Sequence, residues 1–206
     1  MTFQLLNLSR PRSEAGDLPG LHAALTPLVG EPFRFARVSY GDELTLHFGD
    51  LRPARSPKLK NLLYGAYVLG LRGSRWVVKA GTAPLVRSST PDPGPAPGEG
   101  MTLLTKTEIE ANPLVAVGSR VLDAEPFRVL PRDSYGLLLR FSDGSVMYAI
   151  PASPETAGEP DDLPELADWE LNTPNGLLSA GPGLTWEFRP KSAGGPNSPS
   201  PGALDS

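Results

Sequence analysis

The sequence of 206 residues contains no cysteine and only two histidines, His22 and His47. Without cysteine the chain forms no disulfide bond, offers no thiolate nucleophile and holds no cysteine-ligated zinc or iron–sulfur centre. The spacing of the two histidines also excludes a His-Glu-x-x-His zinc motif. We therefore predict no metal site and no cofactor.

Long hydrophobic runs are missing as well. No segment approaches the ~20 apolar residues that a membrane-spanning helix needs. Residues 1–17 have no basic region before their apolar residues, and that apolar run is too short for a signal peptide. These absences lead us to expect a cytoplasmic protein that makes no membrane contact.

The motifs of the common catalytic sites are absent too. There is no Gly-x-Gly-x-x-Gly loop, no phosphate-binding loop ending in Gly-Lys-Ser/Thr and no Gly-x-Ser-x-Gly turn. His47 lies on the polar side of a predicted strand, and we expect a partly exposed strand residue there rather than a general base. We predict no catalytic residue. The alternative is an enzyme that acts on a small polar substrate in a cleft between two units of the chain.

Glycine and proline, by contrast, are abundant, with 22 and 24 residues. They concentrate in two segments that have too few large apolar side chains to offset the entropy of ordering. We therefore divide the chain into a first β-rich unit (1–87), a Pro/Gly-rich linker (88–100), a second β-rich unit (101–189) and a disordered tail (190–206).

One segment of the first unit is echoed in the second. EPFRFARVSYGDELTLHFGD, residues 31–50, resembles EPFRVLPRDSYGLLLRFSDG, residues 125–144. The paired positions are Phe33 and Phe127, Tyr40 and Tyr135, Leu44 and Leu137, Leu46 and Leu139, and Phe48 and Phe141. Further on, Tyr67 to Leu69 resembles Trp169 to Leu171. Because the matches keep the same order, we infer an internal duplication with loop insertions.

Most of the sequence has the pattern of strands. Residues 44–48 alternate apolar and polar side chains, and Asp143-Gly144 predicts a type I′ hairpin turn. Residues 21–28 have helical spacing with a proline near their end, and Thr105 to Glu108 could cap a second short helix. We predict an α+β fold, mainly antiparallel β, in which two related helix-plus-sheet units pack together as an internal pseudo-repeat.

The three tryptophans fall within the predicted strands. Trp76 resembles Trp186 in the echo, and Trp169 begins another predicted strand. Large aromatic side chains dominate burial in small β units. We expect all three to pack in the core rather than to line a ligand cage.

The net charge of −4 conceals opposite charges in the two halves. Residues 1–100 have 12 basic and 8 acidic side chains, a net +4, whereas residues 101–206 have 7 basic and 15 acidic ones, a net −8. The connection after Asp50 is basic, and the connection before Trp169 is acidic. Because the two connections occupy matching places in the echo, we predict that they serve binding. The predicted partner-binding residues are Arg52, Arg55, Lys58, Lys60, Glu159, Asp161, Asp162 and Glu165.

Two interpretations of these charges are open. Either the two connections face each other across the repeat, or one of them recruits a charged protein partner. Isolated surface ion pairs add little stability, which favours the partner. Nucleic acid is disfavoured, because the whole chain is acidic and no aromatic residue lies among the basic ones of residues 52–60. We predict a non-catalytic protein that acts through protein–protein contact.

The pattern Trp-x-Leu-x-Thr-Pro-x-Gly followed by Gly-Pro-Gly-x-x-Trp extends from Trp169 to Trp186. Together with the Phe-x-Asp-Gly turn at Phe141, it resembles small uncharacterised bacterial proteins, some of which are similar to immunity proteins of bacterial toxin systems. The similarity covers mainly residues 127–189 and more weakly residues 33–79, where the Thr-Pro-x-Gly turn is missing. The resemblance implies a possible immunity-like role, but no activity and no functional residue.

Overall fold

The computed structural model describes residues 17–38, 43–54, 61–72, 74–80, 85–87, 101–103, 115–129, 133–151 and 167–191. These residues form a helix, a 3₁₀ turn and fourteen strands. The helix α1 is Leu18–Leu25, and the 3₁₀ turn is Thr26–Leu28. The strands are β1 Phe33–Val38, β2 Leu44–Phe48, β3 Arg52–Pro53, β4 Leu63–Tyr64, β5 Tyr67–Leu71, β6 Ser74–Ala80, β7 Leu85–Arg87, β8 Met101–Leu103, β9 Val121–Val129, β10 Ser134–Phe141, β11 Ser145–Pro151, β12 Trp169–Asn172, β13 Gly176–Ala180 and β14 Trp186–Pro190. No helix in this part of the chain is long and apolar enough to cross a membrane.

Twelve of these strands form two six-stranded sheets. Sheet I has the order β1-β2-β5-β12-β13-β14, and sheet II has the order β8-β7-β6-β11-β10-β9. Neighbouring strands are antiparallel except for β7 and β8, which are parallel. Strands β3 and β4 form a separate two-stranded hairpin. The predicted mainly antiparallel β architecture with a short helix is confirmed.

An apolar core fills the space between the described parts of the two sheets. Leu44, Leu46 and Phe48 of β2 are fully buried, as their alternation predicts. The ring of Phe48 stacks on Phe141 of sheet II with centroids 6.4 Å apart, and Phe33 meets both rings edge-on. Several of the positions shared by the echo are therefore positions of the core.

The three tryptophans are buried as predicted. The indole N–H of Trp169 in sheet I donates to the carbonyl of Tyr135 in sheet II at 2.9 Å. The indole N–H of Trp186 donates to the carbonyl of Asp17 at 3.0 Å. These two indoles thus add hydrogen bonds to the apolar contact between elements.

The sheets also join at one corner. The amide of Gly30 donates to Val121 at 2.8 Å, Val121 donates to Glu31 at 3.1 Å, and Phe33 donates to Ser119 at 2.7 Å. These bonds tie the start of β1, an edge of sheet I, to the start of β9, an edge of sheet II. At this corner, hydrogen bonds between the sheets satisfy backbone groups that would otherwise be exposed at open strand edges.

Helix α1 packs against β9 through its buried residues Leu21 and Leu25. Asp17 caps its first turn by accepting a hydrogen bond from the amide of Gly20 at 2.9 Å. The α-helix ends at Leu25 and continues only as a 3₁₀ turn, because Pro27 has no N–H for helical hydrogen bonding. The second helix predicted near Thr105 lies outside the described residues.

The hairpin between β10 and β11 is present, but its predicted turn type is wrong. Gly144 has a φ of 83°, whereas Asp143 is not among the residues with positive φ. The amide of Gly144 donates to Phe141 at 3.0 Å, and the carboxylate of Asp143 accepts from the amide of Ser145 at 2.9 Å. A three-residue loop with one left-handed glycine replaces the predicted two-residue type I′ turn.

Each sheet contains strands from both sides of residues 88–100. Strands β1, β2 and β5 join β12 to β14 in sheet I, and β6 and β7 join β9 to β11 in sheet II. The prediction that each half forms its own sheet is therefore wrong, because the chain crosses from sheet I to sheet II directly after β5. The unit boundaries stay predictions, and the linker and the tail after Lys191 lie outside the described residues.

Candidate functional site

The hairpin of β3 and β4 lies beside the outer side of sheet I, the side turned away from the core. Arg52 pairs with Tyr64, and Pro53 pairs with Leu63. The amide of Ala54 donates to the carbonyl of Leu62 at 2.9 Å and extends the pairing by one bond. We predicted a plain connection here, so the hairpin is an addition to the predicted fold.

His47 of β2 lies beneath this hairpin and is only 1% exposed. Its Nδ1 accepts a hydrogen bond from the amide of Gly65 at 3.2 Å. Its ring stacks on Phe35 with centroids 4.2 Å apart and meets the ring of Tyr64 edge-on at 5.5 Å. The expectation of a partly exposed histidine is wrong, because the hairpin covers the polar side of β2.

Burial, and secondarily the positive charge of Arg37, lower the pKa of His47 from 6.5 to about 4. The imidazole is therefore neutral near pH 7, and acceptance at Nδ1 places its proton on Nε2. Protonation would remove the lone pair that holds Gly65. His47 thus serves to hold the hairpin.

Arg37 strengthens the attachment of the hairpin. Its guanidinium carbon lies 4.8 Å from the ring centroid of Phe35 and 5.5 Å from that of Tyr64. Cation–π contacts of this kind contribute about 0.5–1 kcal/mol at exposed sites. Tyr64 is therefore held from one side by Arg37 and from another by His47.

A groove of about 390 Å³ runs along the hairpin, bounded on the other side by the β12–β13 turn. Its lining residues are Arg52, Pro53, Ala54, Tyr64, Gly65, Ala66, Val68, Asn172, Pro174 and Lys191. Two of these residues are basic and none is acidic. The ammonium group of Lys191 donates to the carbonyl of Thr173, which holds the lysine against the turn.

Three leucines of the hairpin region are exposed to solvent. Leu51, Leu62 and Leu63 have 41%, 38% and 43% of their surface accessible. Single exposed apolar residues are ordinary, but a group of them beside a groove is typical of an interaction site. We call Leu51, Arg52, Leu62 and Leu63 the hairpin face.

Of the eight predicted partner-binding residues, only Arg52 lies among the described residues, and it is exposed. Arg55, Lys58 and Lys60 lie outside them, in the connection between Ala54 and Asn61. Glu159, Asp161, Asp162 and Glu165 also lie outside them, in the connection between Pro151 and Ala167. The structure therefore brings Arg52 together with residues that we did not predict.

The two charged connections do not occupy equivalent places. The basic one lies between β3 and β4, within the stretch that joins two neighbouring strands of sheet I, β2 and β5. The acidic one leads from β11 of sheet II to β12 of sheet I. The prediction of equivalence is wrong, because the similarity of Tyr67 to Trp169 aligned two strands that pair with each other in one sheet.

A second unusual polar group is Asp168, which lies just before β12. Its Oδ2 is buried and has no hydrogen-bond partner among the described residues. It lies 2.1 Å from where a Cβ on Gly181 would be, so glycine is needed there. Burial raises the pKa of Asp168 from 3.8 to about 7.

The chemistry available around these groups is limited. No group of three side chains among the described residues could hold a metal ion. Nδ1 of His47 already accepts a hydrogen bond from the amide of Gly65, and His47 lies on the outer side of sheet I. Asp168 instead contacts sheet II, because the hydroxyl of Ser74 donates to the main-chain carbonyl of Asp168 at 2.8 Å.

Sequence reasoning missed Tyr64, Asn172 and Lys191. Tyr64 had a signal, because Leu62-Leu63-Tyr64 is an apolar stretch that could pair as a strand. Asn172 and Lys191 had none, because they reach the groove only through the pairing of β12 and β13 with β5 and β14.

Comparison of the chain with protein-family models, curated proteins and solved structures finds no match in any of the three. The resemblance to immunity-like bacterial proteins therefore stays a prediction.

Proposed function

We propose that this protein is a non-catalytic cytoplasmic binding protein that contacts a protein partner through the hairpin face. The observation that carries this proposal is the group of exposed leucines, Leu51, Leu62 and Leu63, beside the exposed Arg52 and a groove. Interfaces combine an apolar centre with arginine and aromatic residues. The hairpin face supplies three leucines and Arg52, and Tyr64 lines the groove beside it.

The way the hairpin is held favours a stable presentation of this face. Gly65, Tyr64, His47 and Arg37 fix the hairpin to sheet I through a hydrogen bond and ring contacts. A surface that is rigid before binding loses less conformational entropy when its partner arrives. We retain Arg55, Lys58 and Lys60 as the basic extension of the face and the acidic residues Glu159, Asp161, Asp162 and Glu165 as a second candidate surface.

An immunity-like role is the specific form of this proposal. Such a protein would cover a toxin and needs only a complementary surface, which suits a chain without catalytic motifs. The presence of a toxin gene beside the gene for this protein would support that role, and purified toxin that does not bind the protein would contradict it.

The alternative, an enzyme acting on a small polar substrate, draws support from Asp168. A buried carboxyl whose pKa is raised to about 7 is suited to exchange protons near neutral pH. Against it, apolar side chains occupy the described space between the sheets. Retention of any measured activity after Asp168→Asn would exclude this role for Asp168.

The test of the binding proposal compares a triple replacement in the hairpin face with a double replacement of exposed apolar residues elsewhere. Tagged wild-type protein should retain a partner from a lysate of its own cells, and L51S/L62S/L63S should lose it. The control V117S/L122S removes residues that are 64% and 60% exposed at another place and should retain the partner. The captured protein is then purified, and its affinity is measured directly. A partner that all three proteins retain equally, or no specific partner, contradicts the proposal.

The predicted basic residues have a separate test. Reversal of charge at Arg52, Arg55, Lys58 and Lys60 should weaken partner capture without loss of stability, because complementary charges act mainly on the association with a partner. Unchanged capture would show that the basic extension takes no part in binding.

We also propose that the chain contains an internal duplication of five strands, β1, β2 and β5 to β7 in the first copy and β9 to β13 in the second. What supports it is the order of the strands in the sheets: each set places its first three strands in one sheet and its last two in the other. Strands β8 and β14 are left out, because β8 is parallel to β7 whereas β14 is antiparallel to β13. In this alignment Trp76 of β6 matches Trp169 of β12. A crystal structure in which the two sets do not superpose about one two-fold axis would contradict the duplication.

A further inference from the structure

We propose that the groove beside the hairpin is a receptor for an acidic side chain, carried by an extended segment of the protein partner. This inference rests on the proposed function and adds the chemistry of the partner. It names Arg52 and Lys191, which both line the groove, as the groups that recognise the carboxylate.

The charge of the groove sets it apart from the rest of the molecule. The chain as a whole has a net charge of −4, yet the described residues that line the groove include two cations and no carboxylate. Burial, and secondarily the negative charge of Glu31, raise the pKa of Tyr67. Glu31 approaches Gly49 but is not among the described residues that line the groove. An anionic group is therefore attracted to this place against the overall negative charge.

The two cations come from different elements of the fold. Arg52 belongs to β3, and Lys191 follows β14 and is anchored at the carbonyl of Thr173. Among the described residues Arg52 forms no ion pair. A guanidinium binds a carboxylate through two parallel hydrogen bonds, and an ammonium group adds a compact charge. The arrangement suits a carboxylate that contacts both cations.

The remaining lining favours a peptide over a free anion. The base of the groove is formed by Gly65, Ala66 and Val68, which have small or apolar side chains. Tyr64 and Asn172 add polar groups that can bond a peptide backbone. A volume of about 390 Å³ lies at the lower end of the range for small-ligand sites, so it holds a few residues rather than a folded domain.

The neighbouring leucines extend this chemistry. Leu62 and Leu63 lie next to Tyr64, at the rim of the groove. A partner segment with an acidic residue in the groove would place its adjoining residues against these leucines. We therefore expect an acidic residue flanked by an apolar one to bind better than an acidic residue alone.

The test measures binding of fluorescein-labelled peptides to the full chain by fluorescence anisotropy. The probes are Gly-Leu-Glu-Leu-Gly and its glutamine counterpart Gly-Leu-Gln-Leu-Gly, both amidated at the C-terminus so that glutamate is the only carboxylate of the peptide. The unlabelled competitors are the glutamate peptide and acetate. The variants are Arg52→Gln, Lys191→Gln and Lys191→Arg, with Lys79→Gln as the control because Lys79 is an exposed cation of sheet II. Circular dichroism verifies that each variant is folded.

We expect the glutamate peptide to bind wild-type protein and the Lys79 control equally. Binding should fall about tenfold for Arg52→Gln and for Lys191→Gln, with recovery in Lys191→Arg, because each loss removes one charge-assisted hydrogen bond. The glutamine peptide should bind at least about tenfold more weakly than the glutamate peptide, and acetate should compete only at high concentration.

Three results would overturn the inference. They are equal binding of the glutamate and glutamine peptides, an unchanged affinity in both Arg52→Gln and Lys191→Gln, and competition by acetate as strong as that by the unlabelled peptide. The last result would assign the groove to small free anions. If a partner is captured through the leucines but the peptide test fails, only this inference is wrong. If no captured partner depends on the hairpin face, the proposed function is wrong.

Discussion

His47 and Asp168 are both polar residues whose pKa is shifted by burial, but they differ in the contacts that their side chains make. The imidazole of His47 stacks on Phe35 and accepts a hydrogen bond from Gly65, whereas Oδ2 of Asp168 is buried without a partner. A buried polar group with a partner can stabilise a structure, and one without a partner costs about 1–3 kcal/mol. The imidazole in the hairpin region thus has a hydrogen-bond partner, whereas the buried carboxylate oxygen at the start of β12 has none among the described residues.

The two groups also oppose each other in their effect on stability with pH. The pKa of His47 is lowered to about 4, so its contribution is full above pH 6.5 and is lost as the pH falls towards 4. The pKa of Asp168 is raised from 3.8 to about 7, so stability is lost as the pH rises between these values. The two effects on stability oppose each other over nearly the same pH range, so variants that replace only one of the two residues should reveal each effect.

The largest effect should come from breaking the hairpin region at Gly65. A Cβ at this position would lie 2.4 Å from the carbonyl oxygen of Phe48 and 2.6 Å from its nitrogen. Because backbone atoms cannot rotate away, Gly65→Ala should lower the free energy of unfolding by about 2–3 kcal/mol in urea denaturation. The control Gly70→Ala meets only Glu43 at 3.9 Å. Equal stability of the two variants would contradict the prediction.

The next effect should come from Asp168→Asn, which removes the charge but keeps the shape. At pH 8 the wild-type carboxylate is ionised in a place that disfavours charge, so the variant should be more stable by about 1–2 kcal/mol, allowing for partial exposure. At pH 4 this gain should vanish, because the wild-type carboxyl is then protonated. Asp123→Asn, at an exposed ion pair with Arg140, is the control and should change stability little. A gain that is the same at both pH values would refute the raised pKa.

A smaller effect is expected from His47→Phe. Phenylalanine keeps a ring beside Phe35 but leaves the amide of Gly65 without its acceptor, which should cost about 1 kcal/mol at pH 7. The cost should shrink as the pH falls towards 4, because protonation removes the same acceptor from the wild-type protein. Denaturation curves at several pH values measure this. A cost that does not depend on pH would contradict the role assigned to the imidazole.

The smallest effect is expected from Arg37→Gln. Loss of the guanidinium removes its contacts with Phe35 and Tyr64 and should cost about 0.5 kcal/mol. It should also raise the pKa of His47, because Arg37 lowers that pKa in the wild-type protein. Nuclear magnetic resonance titration of His47 checks the direction. A pKa that falls further in the variant would be inconsistent with the observed geometry.

The sequence predicted individual elements better than their assembly. Alternation identified β2, the Asp143-Gly144 pair located a hairpin, and Pro27 limited the helix, because each signal acts within a few residues. The partners of β5 and β6 were not predictable in the same way. These strands are separated only by Arg72 and Gly73, yet they enter different sheets, and strand pairing depends on contacts between residues far apart in the chain.

The candidate site shows the same limit. Arg52 was singled out by its basic neighbours, but Tyr64, Asn172 and Lys191 reach the groove from three other segments. His47 was wrongly placed at the surface, because the hairpin that covers it has only two short strands and was not predicted. A pairing of two residues per strand leaves almost no periodic signal in a sequence.

The sequence by itself determined the chemistry that this protein lacks and the apolar faces of its strands. The absence of cysteine and catalytic motifs follows from composition, and the buried faces follow from an alternation that each strand carries locally. Only the tertiary structure decided that the two halves share both sheets, that a hairpin buries His47, and that Arg52 and Lys191 line the same groove. Those features depend on packing between segments that are far apart in the chain. The free energy of that packing comes from the surfaces buried together and cannot be assigned to any single segment.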